Sequence, residues 1–338
     1  MKVDAIIHGD IEVLGEAAQR AERLGFDGVV SPEVAHDPFV PLVLAAAVTE
    51  RVRLQTGIAV AFARNPMIVA VIASDLQRLS RGRFTLGLGS QIRAHVTRRF
   101  SMPWSQPADR MREFVLAVRA IWHAWESDEP LAFKGEFYEH TLMTPMFSHG
   151  TPNYQWPPVF VAGVGPAMTA IAGEVAEGYL AHGFTTPGYL RSVTLPQLEI
   201  GLQRSGRSRG DIEVSIPVLF HAARSDQDHR RGRDGLRQTI AFYGSTPAYR
   251  PVLEHHGWGD LGLELHSLSR QGAWEKMADA VPDELVDLMS VSGSITESGV
   301  EIARRFAGIA DRVQIGLPAG DDDARALLEA IRGASESS

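Results

Sequence analysis

Residues 51–90, RVRLQTGIAVAFARNPMIVAVIASDLQRLSRGRFTLGLGS, contain two predicted β-strands with a helical pattern between them. The β-branched and apolar run Arg53–Val60 predicts the first strand, and Phe84–Leu88 predicts the second. Met67–Leu79 has the composition and length of a helix. A strand, a helix and a second strand in this order are typical of a parallel α/β fold.

The same alternation extends in both directions along the chain. Eight strands are predicted, at Val3–His8, Gly28–Ser31, Arg53–Val60, Phe84–Leu88, Val159–Ala162, Gly178–His182, Glu213–His221 and Arg312–Leu317. A helical pattern follows each of them, so we predict an α/β fold of the (β/α)₈ TIM-barrel type. A doubly wound sheet would have fewer strands and a G-x-G-x-x-G turn after its first strand, where this chain has Gly9-Asp10-Ile11.

Two connections are too long to be ordinary barrel loops. Gly89–Pro158 follows the fourth strand, and Ala222–Asp311 follows the seventh. Both insertions leave carboxyl ends of strands, where barrels carry their chemistry, so we expect them to form lids or walls of a pocket. The chain has no clear linker; we assign residues 1–333 to a single domain and residues 334–338 to a frayed tail.

Composition limits the function. The 338 residues are 44% hydrophobic and 22% charged, which is typical of a globular protein. Cysteine is absent, which excludes disulfides, thiolate metal ligands and a cysteine nucleophile. A formal charge of −8 argues against a nucleic-acid partner and favours a small-molecule substrate. We predict no signal peptide, no membrane span and a cytoplasmic location.

The candidate site residues lie where the predicted strands end. They are His8; Glu33 and His36; Thr56, Gly57 and Ile58; Gly89, Ser90, Gln91 and His95; Ala162, Gly163, Val164 and Gly165; and His182 and Gly183. Gly163 and Gly165 would let the backbone approach a ligand closely, and Pro166 suits the first turn of a phosphate-binding helix. The same residues also fit an ordinary tight turn between a strand and a helix. Gly57 inside a strand indicates either a bulge or close packing.

Histidines at strand ends could also bind zinc. The first strand carries His8 alone, without an H-x-H pair, and no aspartate follows the last strand near a ligand position. We therefore predict no metal site and keep a barrel metal hydrolase as a remote alternative.

Several segments, in their order along the chain, resemble the bacterial luciferase-like superfamily and, within it, the deazaflavin (coenzyme F420)-dependent oxidoreductases. They are AERLGFDGV (21–29), SPE (31–33), TGI (56–58) with Asn65-Pro66, LSRGRFTLGLG (79–89), AGVGP (162–166) and EGYLAH (177–182). The resemblance covers Val3 to Pro318, and the Ser-Arg-Gly-Arg-Phe block before Leu-Gly-Leu-Gly is its most specific part.

The resemblance implies a barrel that holds F420, or alternatively FMN, at its mouth. It implies a non-prolyl cis peptide at Gly57–Ile58 behind the cofactor ring. It places Ser90, Gln91 and His95 at the polar edge of the cofactor, Ala162–Gly165 at its phosphate-bearing tail, and His182 and Gly183 beside that tail. His36 or Glu33 would exchange the proton that accompanies hydride transfer, and His8 is a further catalytic candidate.

Two departures from the family pattern bear on the substrate. The histidine at the end of the second strand is displaced to His36, so either it or Glu33 takes that role. Ile92 stands near the place where sugar-phosphate dehydrogenases of the family carry a glutamate, which disfavours sugar-phosphate oxidation. An FMN-dependent two-component monooxygenase on the same fold is the main alternative function.

Three further groups of residues leave alternatives open. The arginines after the sixth and seventh strands either form a cationic channel for the poly-glutamate tail of F420 or lie on solvated helix faces. They are Arg191, Arg204, Arg207, Arg209, Arg224, Arg230, Arg231 and Arg233. Met102, Trp104, Phe147 and Trp156 fit an apolar substrate or internal packing. The run Phe39–Val48 is apolar nearly all round, so we expect it to be buried, with the helices after the second and third strands forming a homodimer interface.

Overall fold

Eight parallel strands close into a barrel, which confirms the predicted fold. The computed structural model describes residues 1–127, 129–151 and 153–336. The strands are β1 (Lys2–Ile6), β2 (Gly28–Ser31), β3 (Arg53–Thr56), β4 (Phe84–Gly89), β5 (Val159–Ala162), β6 (Gly178–Leu180), β7 (Glu213–Pro217) and β8 (Arg312–Gly316). Each strand pairs with the next, and β8 pairs with β1 to close the barrel.

Helices surround the barrel and fill the second insertion. They are α1 (Leu14–Leu24), α2 (Phe39–Val48), α3 (Pro66–Leu79), α4 (Pro107–Ser127), α5 (Pro166–Val175), α6 (Leu195–Arg204), α7 (Asp226–Gly244), α8 (Arg250–His255), α9 (Gly259–Arg270), α10 (Trp274–Ala280), α11 (Asp283–Met289), α12 (Ile295–Phe306) and α13 (Asp321–Glu336). None of these helices has the length and apolar character of a membrane span within the described ranges.

The two insertions differ in character. The first holds α4, which packs between α3 and α5 as a barrel helix, and a short hairpin of Phe133–Lys134 with Glu139–His140. The second holds α7 to α11, which bury a small apolar core of their own. A two-stranded ladder joins Phe220–Ala222 to Val291–Gly293 at the base of the second insertion, so the predicted seventh strand is two separate strands.

The carboxyl terminus is more ordered than the sequence suggests. Helix α13 continues to Glu336, so residues 334–336 of the predicted tail are helical. Buried Ile331 and a hydrogen bond of 2.7 Å from Arg332 Nη2 to Gly25 O hold the last turns against the barrel. Residues 337 and 338 lie outside the described residues.

The amino-terminal half of the barrel interior is filled by ion pairs. Arg312 Nε donates to Asp4 Oδ2 at 2.7 Å, and both side chains are buried. Burial raises the pKa of Asp4, and Arg312 opposes that shift. Gly28 leaves the space that the Asp4 carboxylate occupies, because a Cβ there would lie 2.3 Å from Asp4 Oδ1. A buried ion pair therefore occupies this end of the barrel.

The Ser-Arg-Gly-Arg-Phe block has a structural role. Arg83 donates to Ser80 O, Val52 O and Thr49 O, each at 2.8 Å, and so joins the end of α2 to the starts of β3 and β4. Arg81 and Gly82 adopt φ angles of 55° and 85°, which form the tight turn from α3 into β4. The most specific part of the sequence pattern therefore fixes the barrel rather than a ligand.

Candidate functional site at the barrel mouth

A bulge interrupts the third strand at the barrel mouth. The Gly57–Ile58 peptide bond is cis, as predicted, and the chain pairs with β4 again only at Ala59–Val60. A Cβ on Gly57 would lie 2.3 Å from Val30 Cγ1, and a Cβ on Gly89 would lie 2.9 Å from Ile58 Cδ1. The two glycines thus make room for the bulge, and the structure brings Gly57, Ile58 and Gly89 together.

Glu33 holds this bulge in place. Its Oε2 accepts hydrogen bonds from Val60 N and from Arg64 Nη1, both at 2.7 Å, and its side chain is almost fully buried. Arg64 also donates to Asp37 Oδ2 at 2.7 Å. Burial opposes the charge of Arg64, but the two carboxylates raise its pKa overall. A carboxylate engaged in this way is suited to positioning the bulge and is a poor candidate for the proton transfer that the sequence assigned to it.

His36 is better placed for proton transfer. Its Nε2 lies 3.1 Å from Gly9 O, in the loop after β1. A carbonyl oxygen can only accept, so Nε2 carries the proton in the neutral ring and Nδ1 is left as the acceptor. His8, on the neighbouring strand end, is exposed and makes no hydrogen bond through its ring in the described part of the chain.

The hydroxyl of Thr56, a predicted cofactor-binding residue, is bonded within the barrel wall. Thr56 Oγ1 donates to Gly87 O at 2.7 Å and accepts from Gly87 N at 2.8 Å, and the residue is fully buried. The hydroxyl replaces the backbone pairing that the bulge removes between β3 and β4. Thr56 is therefore part of the barrel wall.

The residues after β4 form a polar, partly open edge of the mouth. Ser90 Oγ donates to Gln91 O at 3.1 Å, and Gln91 Oε1 accepts from Ile92 N at 3.0 Å. Gln91 has a φ of 60°, which is uncommon for a residue other than glycine and is typical of turns at functional sites. His95 is exposed at the start of the π-helical turn His95–Arg99.

The turn between β5 and α5 has the properties of a phosphate cradle. Pro166 begins the helix, and Gly165 caps it without a side chain. The N–H groups of Val164 and Gly165 have no backbone acceptor among the residues described, and both residues directly precede a helix N-terminus. Tyr179 on β6 donates to Gly163 O at 2.6 Å and fixes the turn. Ala162 ends β5 and is half-buried.

His182 meets two tyrosines that the sequence analysis did not identify. Its ring stacks on Tyr249 with 4.3 Å between centroids and contacts Tyr243 edge-on at 4.7 Å. Both tyrosines belong to the second insertion, which therefore covers the end of β6. Burial lowers the pKa of His182 to about 4, so the ring is neutral near pH 7. Gly183 follows it and lies close to Pro217 of β7.

Most of the arginines after the sixth and seventh strands already have partners within the chain. Arg204 and Arg209 pair with Glu174 and Asp311, on the face where strands begin. The others bond to carbonyls or carboxylates: Arg191 to Ala307 O, Arg207 to Gly173 O and Asp211 O, Arg224 to Asp323, Arg231 to Asp228, and Arg233 to Asp283 and Asp287. Arg230, together with Arg93 and Arg98 after β4, has no acceptor within residues 1–127, 129–151 and 153–336.

The apolar candidates of the first insertion separate into two groups. Trp156 stacks on Trp122 with 5.3 Å between centroids and is a packing residue, and Phe147 is 71% exposed on the outer surface. Trp104 instead packs edge-on against Phe62 at 5.8 Å, and Phe62 follows the bulge directly. Met102 is half-buried against the same core. Phe62 is fully buried, so of this pair Trp104 alone presents apolar surface beside the mouth.

A cavity at the other end of the barrel does not mark this site. It has a volume of about 730 Å³ and opens at the amino ends of the strands, where Lys2, Glu213 and Asp311 line it. No group of three or more metal-ligating side chains occurs in the described ranges. The cis bulge, the glycine turn and the histidines all gather at the opposite end, which is where we place the site.

Known proteins resemble this chain over most of its length. A family model described as luciferase-like monooxygenase matches residues 5–312. An uncharacterized protein of Mycobacterium tuberculosis (strain H37Rv) is 49% identical, with 98% of each chain covered. The F420-dependent glucose-6-phosphate dehydrogenase of Intrasporangium calvum is 28% identical over 91% of this chain and 89% of its own.

Among solved structures, the coenzyme F420-dependent tetrahydromethanopterin reductase from Methanopyrus kandleri has the same fold. Its TM-score is 0.78 at 19% identity, and the match covers 97% of this chain and 96% of that one. At this identity the likeness concerns the fold alone.

Proposed function

Because the chain belongs to the luciferase-like monooxygenase family, we propose that it is an F420-dependent oxidoreductase acting on a small organic substrate. The bulge at Gly57–Ile58 carries the proposal: Glu33 holds it through Val60 N and Arg64, at the same end of the barrel as the Gly163–Gly165 turn. The F420-dependent dehydrogenase among the relatives supports the choice of cofactor.

The residues at the mouth fit a flat ring with a phosphate-bearing tail. A Cβ on Gly165 or on Gly316 would meet no atom within 4 Å, so both strand ends border open space. Free N–H groups at the start of α5 suit a phosphate. Arg93, Arg98 and Arg230 have no carboxylate partner among the described side chains, which suits an acidic tail. A deazaflavin bound there would supply a carbon that accepts or donates a hydride.

The protein itself would orient the cofactor, exclude water and exchange a proton. The bulge gives the ring a shaped, apolar backing of Ile58 against Gly89. His36 is held by Gly9 O through Nε2, which leaves Nδ1 to take or give the proton that accompanies hydride transfer. Half-buried Trp104, which packs on the buried Phe62 ring, would form one wall of the pocket and favour an apolar substrate.

Equilibrium binding of F420 and of FMN tests the proposal. The purified protein is titrated with each cofactor, and binding is followed by fluorescence or calorimetry. We expect micromolar or tighter binding of F420 and much weaker binding of FMN. An FMN-loaded protein without affinity for F420 would contradict the proposal and favour the alternative, an FMN-dependent two-component monooxygenase, which the family's description also fits.

We also propose that the active form is a homodimer. Helix α2 buries one face against the barrel but leaves an apolar stripe exposed, with Val40 46%, Val43 41% and Leu44 39% accessible. On the neighbouring α3, Ile68 is 58% exposed. Helix α2 is thus half covered within one copy of the chain. An apolar surface shared by two adjacent helices is typical of an interface, and a second copy offers the same surface in return.

Val43→Glu is expected to make the protein monomeric with little effect on its folding, because Val43 contributes to the exposed stripe and not to the core. Sedimentation or light scattering measures the mass. The matched control is Leu263→Glu on α9, which is 51% exposed and lies in the second insertion. A Val43→Glu protein that stays dimeric, or a wild type that is monomeric, would contradict this assignment.

A further inference from the structure

His182 is presented as a hydrogen-bond donor with a fixed orientation. Phe184 N donates to His182 Nδ1 at 3.0 Å. Because Nδ1 accepts this bond, the proton of the neutral ring is on Nε2. Nε2 has no hydrogen-bond partner in the described part of the chain. It is nevertheless not among the unpartnered side-chain atoms that are fully shielded from solvent. The donor therefore faces space that a ligand can enter.

The second insertion holds the ring in this state. Tyr249 covers one face at 4.3 Å with 27° between the planes, and Tyr243 packs against the edge at 90°. Burial lowers the pKa of His182 to about 4 and raises the pKa of Tyr249 to about 12. Burial also raises the pKa of Tyr243. All three rings are uncharged over the range in which most enzymes work.

The neighbourhood of His182 belongs to the cofactor end of the mouth. Its strand, β6, pairs with β5, and the Gly163–Gly165 turn follows β5 directly. Tyr179 ties the two together through Gly163 O at 2.6 Å. A donor at this position can add to the N–H groups of the turn in binding the same anionic group.

Two other titratable groups lie nearby, at the end of α8. His256 Nε2 is 2.7 Å from Thr186 Oγ1, and His255 Nε2 is 3.3 Å from Ser192 Oγ. Burial and the adjacent His255 lower the pKa of His256. These contacts dock the insertion on the segment that follows β6 and keep Tyr249 over the imidazole.

We propose that Tyr243 and Tyr249 are positioning residues that hold His182 as a neutral Nε2–H donor to an anionic oxygen in the phosphate-bearing tail of the cofactor. The inference rests on the proposed function for the identity of that cofactor. It gives the second insertion a part in cofactor binding, and it explains why the donor is uncharged: a neutral ring is buried at far less cost than an imidazolium.

Tyr249→Ala and Tyr249→Phe test this role. Removing the ring exposes His182, so its pKa should rise toward the ordinary value of about 6.5. F420 should then bind about tenfold more weakly at pH 8, where the loosened ring is neutral. Binding by Tyr249→Ala should tighten as the pH falls toward about 5.5, because an imidazolium attracts the anionic tail. The wild type and Tyr249→Phe should bind equally well with no such pH dependence.

Two readouts separate the possible outcomes. NMR titration of labelled histidine, with His182→Gln for assignment, should show no titration of His182 above about pH 5 in the wild type. Phe147→Ala, an exposed aromatic of the first insertion, is the matched control and should behave as the wild type. His182 titrating near 6.5 in the wild type, or Tyr249→Ala binding F420 with unchanged affinity and no pH dependence, would overturn the inference. Absence of F420 binding by the wild type would instead contradict the proposed function, and the NMR titration would still test His182.

Discussion

Replacing His36 with alanine is expected to lower kcat by a factor of about 10² to 10⁴, the usual contribution of a general acid or base. The affinity for F420 should stay the same, since His36 follows β2 and the cradle for the tail follows β5. The loss arises because Nδ1, the ring atom that the bond from Nε2 to Gly9 O leaves unengaged, no longer exchanges the proton. Steady-state kinetics and cofactor titration measure the two quantities separately.

A matched control and a competing assignment sharpen this test. His123→Ala removes an exposed histidine on α4, with the side chain 65% accessible, and should leave kcat unchanged. Glu33→Gln should weaken F420 binding, because it disrupts the ion pair with Arg64 that fixes the bulge. If His36→Ala keeps full turnover while Glu33→Gln loses it at saturating cofactor, then Glu33 exchanges the proton and the role assigned to His36 is contradicted.

Gly87→Ala is expected to destabilise the protein by at least about 4 kcal/mol, beyond the range of ordinary substitutions. A Cβ at this position would lie 1.9 Å from Thr56 O, a backbone atom that the Thr56–Gly87 hydrogen bonds hold in place. The neighbouring strands would have to separate at the point where the bulge already removes a pairing. We expect a protein that is insoluble or that unfolds at much lower denaturant concentration.

Gly235→Ala is the control for this effect. Gly235 lies in α7, where a Cβ would meet no atom within 4 Å, so alanine should be neutral or should stabilise the helix by up to about 1 kcal/mol. Urea unfolding compares the two variants with the wild type. A Gly87→Ala protein within about 1 kcal/mol of the wild type would show that β3 and β4 are not packed as described.

Local patterns were sufficient to predict the barrel. The spacing of the apolar residues predicted all eight strands. The glycines at 57, 89, 163 and 165 indicated turns and bulges at the carboxyl ends of those strands. Such signals are local, since a strand or a tight turn depends on residues that are close in the chain. The cis bond at Gly57–Ile58 came from the family resemblance, because no composition signal distinguishes it from a packing glycine.

The roles of individual side chains were harder to predict, because they depend on partners distant in sequence. The sequence made Glu33 a candidate proton donor, but in the structure its carboxylate is bonded to Arg64 and to Val60 N. The hydroxyl of Thr56 is similarly occupied by Gly87. Tyr243 and Tyr249 carry no motif of their own, and only the folded insertion brings them to His182. Periodicity does not reveal contacts of this kind.

Hydride transfer from reduced F420 is the most direct test of the proposed function. The protein is mixed anaerobically with F420 that carries deuterium at its reduced C5 carbon and with a panel of small apolar carbonyl and alkene compounds. We predict that the deazaflavin is oxidised in a single turnover and that deuterium appears on carbon in the product. Oxidation of the substrate only with reduced FMN and oxygen, with F420 inert throughout the panel, would contradict the account.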